Sequence, residues 1–214
     1  MTKRLKTLYS LVKKGGIFAD VGCDHGLVSK HALDSGDFES VIISDISKPS
    51  LQKAEKLLAP YGKKVKSIVC NGLDGYDIKP TVVFIAGMGG EEICSILKNA
   101  KFKPQQLVLS PQKNSSKVRK LLLELGYKID CDFTFYDKKY YDAISATLGK
   151  DCYTELQLLF GRDNLKNRSS DFLNKLRQDA KILNGVVENE SVSTVQKESA
   201  KLKLQLINGV LYEN

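Results

Sequence analysis

The chain contains 214 residues, of which 42% are hydrophobic and 27% are charged, and it has no low-complexity tract. A chain of this length holds one well-buried domain and a smaller appendage. It has no apolar run of 18 residues and no charged leader with a small-residue cleavage site, so we expect neither a membrane span nor a secretory signal.

Charge and cysteine usage narrow the class of protein further. The 33 basic and 25 acidic residues give a net charge of +8, which favours a polyanionic partner such as RNA, DNA or a membrane surface; a solvated Lys-rich surface is the alternative. The five cysteines are scattered without C-x-x-C spacing, and there are two histidines, so the sequence predicts neither a disulfide framework nor a zinc site. We therefore expect reduced thiols, no bound metal and a cytoplasmic location.

The first 150 residues alternate between β-branched runs and segments of helical periodicity, after an amphipathic helix over residues 2–12 with a basic outer face. The alternation predicts a doubly wound α/β sheet whose last two strands form an antiparallel hairpin at the edge. The predicted strands are Ile17–Val21, Ser40–Asp45, Val65–Cys70, Val82–Ala86, Gln106–Ser110, Tyr127–Tyr136 and Tyr141–Leu148. The predicted helices between them are Leu27–Leu33, one capped by Ser47, Glu91–Lys98 and Ser115–Leu125.

Residues 151–214 are polar and Leu-rich, and we predict a second domain there. Two helices, over 154–187 and 191–211, would form an antiparallel coiled-coil hairpin. Residues near heptad spacing are Leu156, Leu159, Leu173, Leu176, Ala180 and Leu183 in the first helix, and Val195, Ala200, Leu202, Leu206 and Val210 in the second. Because such a hairpin buries its own seam, we expect a monomer.

The functional interpretation depends on the turn from Asp20 to Gly26, between the first strand and the first sheet helix. A strand, tight turn and helix bring backbone N–H groups and a helix N-terminus to a small ligand. A dinucleotide motif would need glycine at Asp24, whose carboxylate would repel a pyrophosphate. Acidic residues on both sides of Gly22 suit a ligand with an ammonium, a carboxylate and a ribose, as in S-adenosylmethionine. An ordinary capped turn is the alternative.

Three further segments follow strands, where ligands bind in a doubly wound fold. Asp45 ends the second strand, about 20 residues after the glycine turn, where an acid accepts hydrogen bonds from ribose hydroxyls. Residues 71–74 follow the third strand, where an adenine is usually held, and the glycine-rich residues 85–90 follow the fourth, beside the expected methyl donor. Each could instead serve only as a turn. The chain lacks the Asp/Asn-Pro-Pro-aromatic run of exocyclic-amine methyltransferases and a Pro-Cys nucleophile, and a ring nitrogen such as N1 of adenine needs neither.

Taken together, Lys3–Leu5, Ala19–Gly26, Asn71–Gly75 and Ile85–Gly90 resemble the TrmK family of bacterial tRNA methyltransferases, and the resemblance covers essentially the whole chain. It implies a class I (Rossmann-like) methyltransferase sheet with a C-terminal coiled coil. It also implies methylation of N1 of adenosine 22 in tRNA with S-adenosyl-L-methionine as methyl donor. The chain departs from the family pattern after the third strand and after the fifth, at Ser110–Asn114.

Resemblance and position together assign candidate site residues. The cofactor-binding candidates are Asp20, Gly22, Cys23, Asp24, Gly26, Asp45, Ile46, Asn71, Gly72, Ala86, Gly87 and Met88. The RNA-binding candidates are Lys3, Arg4, Gln112 and Lys113, with Tyr140 and Tyr141 as candidate stacking partners of a flipped base. No general base is identified; the candidates for a catalytic role are Asp24, His25 and Met88.

Two other functions stay open at the level of sequence. A methyltransferase of a small molecule or a protein would use the same cofactor turn, but it would leave the positive charge and the helical hairpin unexplained. A non-catalytic RNA-binding protein of the same fold would explain the charge, but it would not need an intact cofactor turn. In either case the helical hairpin and the basic first helix are candidates for contact with an RNA backbone.

Overall fold

A computed structural model of the chain describes residues 1–212. Its centre is a seven-stranded mixed sheet with the strand order β3-β2-β1-β4-β5-β7-β6. The first five strands in the chain are parallel, and β7 runs antiparallel to both β5 and β6. The strands are β1 Ile17–Val21, β2 Ser40–Asp45, β3 Val65–Val69, β4 Val82–Ala86, β5 Gln106–Ser110, β6 Tyr127–Asp137 and β7 Lys139–Leu148.

Helices cover both faces of this sheet, and four more follow it. In the sheet region they are α1 Lys3–Tyr9, α2 Leu27–Asp34, α3 Lys48–Leu58, α4 Gly90–Asn99 and α5 Ser115–Glu124, with a 3-10 segment at Ala59–Lys64. After the sheet come α6 Glu155–Phe160, α7 Arg162–Asn167, α8 Ser170–Glu188 and α9 Thr194–Tyr212. Within residues 1–212, no helix has the length and apolar character needed to cross a membrane.

The two faces of the sheet have separate hydrophobic cores, because side chains alternate between the faces of a strand. Phe18 of β1 packs on the face covered by α1, α2 and α3, together with Leu8 and Leu51. Ala19 and Val21 of the same strand pack on the opposite face, which α4 and α5 cover. The alternation places the Asp20 side chain on the first of these faces, under α2.

The predicted α/β sheet with an antiparallel edge hairpin is confirmed, and β1, β2, β4 and β5 have the predicted bounds. Buried parallel strands read as short β-branched runs, which explains this agreement. The hairpin turn is tighter than predicted: β6 and β7 extend to Asp137 and Lys139, and Lys138 alone connects them with a positive φ of 63°.

The prediction of one helix over residues 154–187 is wrong. Gly161, with φ of 91°, and Arg168, with φ of 46°, divide this segment into α6, α7 and α8. Two left-handed residues cannot continue an α-helix, so each ends one helix and the next begins with a new cap. The end of this segment agrees with the prediction, because α8 continues through Gly185 to Glu188, one residue beyond the predicted end at 187.

The antiparallel pair α8–α9 is present, but its seam is shorter than the heptad pattern predicts. Ala200 and Val210 are buried between the helices as predicted, and Ile207, which the pattern does not include, is fully buried. Val195 is 79% exposed and Leu202 is 64% exposed, and Leu206, Leu156 and Leu159 are also exposed. These five residues lie outside the seam. The buried cluster at the base of the hairpin consists of Phe160, Phe172, Leu176, Ile207 and Val210.

Side chains from the segment after the sheet cover the free edge of β6. Four backbone N–H groups of this edge strand donate to oxygen atoms of Asp151, Asp163, Asn164 and Asp171, over 2.8 to 3.1 Å. The edge groups that no neighbouring strand can satisfy are thus paired by carboxylates and one amide. Residues 151–171 therefore extend the sheet edge with side chains instead of with an eighth strand.

A buried ion pair joins the same segment to the sheet. Arg119 of α5 is 1% exposed and donates through Nε and Nη2 to the two carboxylate oxygens of Asp132 on β6, at 2.8 and 2.9 Å. Its Nη1 donates to the carbonyls of Leu158 and Leu159 in α6. The bidentate pair and the two carbonyl contacts leave the buried guanidinium well satisfied.

Candidate functional site

Two adjacent cavities open at the carboxyl ends of β1, β2 and β4, where a doubly wound fold binds its ligands. The first cavity is lined by residues of α1, β1 and its turn, α2 and β4, which include Arg4, Asp20, Cys23, Asp24 and His25. The second cavity extends across the ends of β2, β3 and β4, and its lining residues include Asp45, Ile46, Asn71, Gly72, Ala86, Gly87 and Met88. Arg4, Gly22, Asp24 and Ala86 line both cavities.

The turn after β1 has the left-handed conformation that its glycines permit. Gly22, Asp24 and Gly26 have φ angles of 71°, 46° and 67°. The N–H groups of Gly22 and Cys23 both donate to the carbonyl of Ser44 on β2, at 2.8 and 3.1 Å. Both N–H groups are therefore satisfied within the sheet. What the turn offers a ligand is the carboxylates on either side of Gly22, those of Asp20 and Asp24.

Asp20 is buried at the floor of the first cavity. Only 4% of the residue is exposed, and its Oδ2 accepts a 2.8 Å hydrogen bond from Ser29 Oγ of α2. Burial away from solvent raises the pKa of this carboxyl to about 7, and the nearby negative charge of Asp45 adds to the rise. A buried carboxyl with a raised pKa is suited to bind a cationic ligand group, because an ammonium within contact distance stabilises the ionised form of the carboxyl.

Asp45 stands at the end of β2 as predicted. Its Oδ1 accepts the N–H of Ser47 at 2.8 Å, which forms the turn into α3, and the residue is half-buried at the wall of the second cavity. The adjacent Ile46 is exposed at the rim. A carboxylate at this position in the fold can accept hydrogen bonds from the two hydroxyls of a ribose. Asp45 also stabilises the turn into α3, so the two roles considered for it are compatible.

The segment after β3 closes the far end of the second cavity. Gly72 has a φ of 63°, and a Cβ on it would lie 2.5 Å from Cγ1 of Ile96. Its carbonyl accepts from Ser44 Oγ at 3.3 Å, and Asn71 lines the cavity beside it. The close packing against α4 explains why this turn requires glycine.

The loops after β4 and β5 are joined to each other by backbone hydrogen bonds. Gln112 N donates to the Met88 carbonyl and Gly90 N donates to the Lys113 carbonyl, both at 2.9 Å, and the Gln112 side chain donates to the Gly87 carbonyl. The end of the Met88 side chain lies over Gly22, where an added Cβ would be 2.3 Å from Met88 Cε. Met88 therefore lies between the glycine turn and the β4 loop.

Arg4 lies inside the site, although sequence reasoning placed it on an RNA-binding surface. Its backbone N–H donates to Asp137 Oδ2 at 2.8 Å, which fixes α1 against the β6–β7 hairpin. Its guanidinium carbon stands 4.7 Å from the centroid of the Tyr141 ring, a cation–π contact. Arg4 is the only Lys or Arg among residues 1–212 that lines either cavity.

Asp24 and His25 form an exposed pair at the mouth of the first cavity, with 3.5 Å between Asp24 Oδ2 and His25 Nε2. Both side chains are more than half exposed. Their position allows contact with a ligand at the rim, but no buried hydrogen-bond network orients them as a catalytic base would be oriented.

The remaining predicted residues lie around or behind these cavities. Cys23 lines the first cavity, and burial raises the pKa of its thiol, so the thiolate is disfavoured. Gly26 lines neither cavity; a Cβ there would be 2.9 Å from Cβ of Ala54, so Gly26 is where α2 meets α3. Sequence reasoning missed the cavity positions of Ser44, Phe84 and Glu92. In the described range, no cluster of three His, Cys, Asp or Glu side chains is arranged to hold a metal ion.

Four lysines, which we call the basic rim, lie at the same end of the sheet as the cavities: Lys3, Lys113, Lys138 and Lys139. Lys3 Nζ donates to the Tyr136 carbonyl at 3.0 Å, and Lys139 Nζ lies 5.2 Å from the centroid of the Tyr141 ring. Lys113 follows β5, and Lys138 forms the hairpin turn. Since β7 runs antiparallel to β5, this turn lies beyond the carboxyl end of β5, on the side of the cavities.

The net charge is not spread evenly along the chain. Residues 1–150 contain 24 basic and 16 acidic residues, whereas residues 151–214 contain nine of each. The whole net charge of +8 therefore belongs to the part of the chain that contains the cavities, and the C-terminal helices are neutral overall.

Comparison with known proteins gives consistent matches. A family model described as "methyltransferase domain" matches residues 1–144. The tRNA (adenine(22)-N(1))-methyltransferase of Bacillus subtilis strain 168 is 27% identical over 218 residues, covering 95% of this chain and 91% of that protein. A Mycoplasma pneumoniae relative, provisionally named as a tRNA methyltransferase, is 32% identical over 127 residues, and the match covers 57% of this chain and 59% of that relative.

A solved structure resembles the whole chain. Sp1610 of Streptococcus pneumoniae, crystallised in complex with S-adenosyl-L-methionine, has a TM-score of 0.89 and 26% identity, with 99% of this chain and 100% of that chain covered. The similarity thus extends over the sheet, both cavities and the C-terminal helices.

Proposed function

Because this chain belongs to the methyltransferase-domain family, and within it to the TrmK tRNA methyltransferases, we propose that it methylates N1 of adenosine 22 in tRNA with S-adenosyl-L-methionine as methyl donor. The observation that carries this proposal is the near full-length similarity to the Bacillus subtilis enzyme of that name. A similarity confined to the methyltransferase domain would have supported only the reaction type.

The two cavities fit the parts of S-adenosyl-L-methionine. Asp45 and Ile46 would hold the ribose, and Asn71 and Gly72 would hold the adenine, in the second cavity. Asp20, buried with a raised pKa, would hold the ammonium in the first cavity. The remaining cofactor-binding candidates keep their proposed role through position: Gly22, Cys23, Asp24, Ala86, Gly87 and Met88 line one cavity or both, and Gly26 supports the turn behind them.

The bound cofactor supplies an electrophilic methyl group, and the chain supplies position and charge around it. N1 of adenine has a free lone pair, so no residue has to remove a proton before attack, and alignment is the main task of the site. Positive charge develops on the base as the methyl group moves, and the nearby carboxylate of Asp24 would stabilise it. We assign no general base.

The basic rim would meet the tRNA. Lys3, Lys113, Lys138 and Lys139 lie at the same end of the sheet as the cavities, and phosphate groups are the ligands that such a rim favours. N1 lies on the Watson–Crick edge, so the target base must leave its helix or already be splayed out, with Tyr140 as the candidate for stacking. The other tyrosine predicted for this role, Tyr141, already contacts the Arg4 guanidinium and stacks on Phe135. The C-terminal hairpin, neutral overall, would contribute contact by shape and not by net charge.

The test is incubation of the purified protein with methyl-labelled S-adenosyl-L-methionine and unmodified tRNA, followed by digestion and nucleoside chromatography. We expect label in 1-methyladenosine, and no label when adenosine 22 is replaced by guanosine. Label in another nucleoside would contradict the proposed target. Cofactor binding without label in tRNA would contradict the proposal and support the methyltransferase of a small molecule or a protein.

Three further predictions accompany this function. We propose that residues 1–150 form the catalytic domain and residues 151–214 an accessory helical domain, that the protein is a monomer, and that it works in the cytoplasm. The five free cysteines and a tRNA substrate support the last of these. Light scattering coupled to gel filtration tests whether the protein is a monomer, because a dimer would double the measured mass.

A further inference from the structure

Only three buried side-chain nitrogen or oxygen atoms within residues 1–212 have no hydrogen-bond partner: Arg4 Nε, Arg4 Nη2 and Ser110 Oγ. Two of the three belong to one guanidinium. An unpaired buried donor is costly, and a charged one more so, which is why such atoms in a native protein call for an explanation. A missing ligand is one such explanation.

The position of the guanidinium is fixed by contacts on its other sides. The α1 backbone is attached to Asp137, and the guanidinium lies over the ring of Tyr141, which stacks on Phe135 with 5.7 Å between ring centroids. Nη2 lies 3.4 Å from where a Cβ on Gly87 would stand. Arg4 lines both cavities, so its unpaired Nε and Nη2 belong to a side chain at their border, and the absence of a side chain on Gly87 leaves room for Nη2.

The Nε–Nη2 edge is a two-donor fork that matches the two oxygens of a carboxylate or a phosphate. The first cavity, which Arg4 shares, also contains the carboxylates of Asp20 and Asp24. A phosphate placed there would meet two like charges, whereas an α-amino acid group carries an ammonium for the carboxylates and a carboxylate for the arginine. The mixture of charges therefore favours a zwitterion over a phosphate.

We propose that Arg4 binds the carboxylate of the methionyl part of the cofactor, while Asp20 binds its ammonium. This inference rests on the proposed use of S-adenosyl-L-methionine and assigns a residue of α1 to the cofactor site. It replaces the prediction that Arg4 contacts RNA. It also makes the N-terminal helix a part of the methyl-donor site, joined to the substrate-side hairpin through Asp137 and Tyr141.

The test compares the effect of each substitution on a ligand that contains the carboxylate and on one that lacks it. S-adenosylhomocysteine contains it, and decarboxylated S-adenosylmethionine lacks it but keeps an ammonium. By isothermal titration calorimetry we expect Arg4→Met to weaken binding of S-adenosylhomocysteine by about 10- to 100-fold. Binding of the decarboxylated ligand should stay the same or tighten, because a positive charge has been removed near a cationic ligand. Arg4→Lys should restore part of the affinity for S-adenosylhomocysteine, since it keeps the charge but not the fork.

Lys6→Met, which removes an exposed cation from the same helix, is the matched control and should leave the affinity for S-adenosylhomocysteine unchanged. An equal loss of affinity for both ligands in Arg4→Met would show that Arg4 has a structural role and would overturn the inference. Unchanged S-adenosylhomocysteine binding with a raised KM for tRNA would overturn it in favour of a nucleotide phosphate. Failure of the unmodified protein to bind S-adenosylhomocysteine would instead overturn the proposed function on which the inference rests.

Discussion

Ser29 Oγ donates a 2.8 Å hydrogen bond to Asp20 Oδ2, and the bond joins α2 to the end of β1 beneath the first cavity. Both residues are almost fully buried. The hydroxyl stabilises the ionised carboxyl, but burial outweighs it, and the pKa of Asp20 is raised to about 7. The protonation state of Asp20 therefore changes in the range where the protein is expected to work.

The first prediction concerns the pH dependence of cofactor binding. An ammonium needs the ionised form of Asp20, so the Kd for S-adenosylhomocysteine should rise as the pH falls through about 7. Asp20→Asn should weaken binding at pH 8 by about tenfold or more and remove this pH dependence. Ser29→Ala should move the midpoint to higher pH, because the carboxyl loses a donor. Calorimetric titration between pH 5.5 and 8.5 provides the measurement, and a flat wild-type profile would contradict the prediction.

Asp20→Asn, which should weaken cofactor binding, should stabilise the folded protein when no ligand is bound. The folded-state pKa of Asp20 lies above its unfolded value, so its contribution to stability is fully present below pH 4 and is lost as the pH rises to about 7. Asp20→Asn removes the cost of a buried charge, and at pH 8 we expect a higher Tm than for the wild type without ligand. For a protein of this size the gain is about 2–4 °C per kcal/mol. A lower Tm for the variant at pH 8 would contradict the assignment.

A second prediction concerns the buried pair of Arg119 and Asp132. Arg119→Met would leave the Asp132 carboxylate, 0% exposed, without its partner, and the carbonyls of Leu158 and Leu159 without their donor. We expect a loss of about 3–5 kcal/mol in the free energy of unfolding, measured by urea denaturation. Arg177→Met, an exposed arginine of α8, is the control and should change the free energy by no more than about 0.5 kcal/mol. Comparable values for the two variants would refute the prediction.

A third prediction concerns the C-terminal hairpin. Replacing residues 181–202 by a three-glycine linker removes the outer half of α8–α9 and keeps the buried base at Phe172, Leu176 and Ile207. The removed segment has three basic and three acidic residues, so the net charge is unchanged. If the hairpin contacts tRNA by shape, kcat/KM for tRNA should fall by about tenfold or more while the Kd for S-adenosylhomocysteine stays the same. The salt dependence of tRNA binding should also stay the same, and undiminished methylation would exclude a role for the hairpin in substrate binding.

The fourth prediction concerns the basic rim. The double substitution of Lys138 and Lys139 by Met should weaken tRNA binding and reduce the slope of log K against log salt by about 1 for each phosphate group that the rim no longer binds. Cofactor binding should not change. The matched control is the double substitution of Lys63 and Lys64, which precede β3 at the opposite edge of the parallel sheet. Equal effects of the two double substitutions on tRNA affinity would indicate diffuse attraction and not a rim at the site.

The fold of the sheet was largely predictable because its information is local. The buried parallel strands are short, mainly apolar runs, and this pattern indicates where each begins and ends. The breaks at Gly161 and Arg168 were not predictable in this way. Arg168 adopts a left-handed conformation while its guanidinium donates to the carbonyls of Val210 and Leu211, which lie 42 and 43 residues further along the chain. No pattern of neighbouring residues contains that contact.

The candidate site was likewise predictable where it depends on local sequence and not where it depends on distant contacts. The positions at the carboxyl ends of β1, β2 and β4 followed from strand order and the rule for ligand sites in doubly wound folds. Arg4 did not, because it enters the cavities from a helix that precedes β1 and is held there by Asp137 and Tyr141 of the last hairpin. A lone arginine in a basic helix has no sequence signal that separates a cofactor ligand from an RNA contact.

The side chains that cover the edge of β6 have a consequence for the assembly state of shortened forms of the protein. A chain ending at residue 150 would lose Asp151, Asp163, Asn164 and Asp171 together, and four N–H groups of an 11-residue strand would face solvent. Such an edge is a template for strand addition, and two truncated copies could pair through it into a continuous sheet. Proteolytic loss of the C-terminal segment would thus expose a sheet edge through which copies of the protein can associate. Residues 151–171 prevent this aggregation by covering the edge.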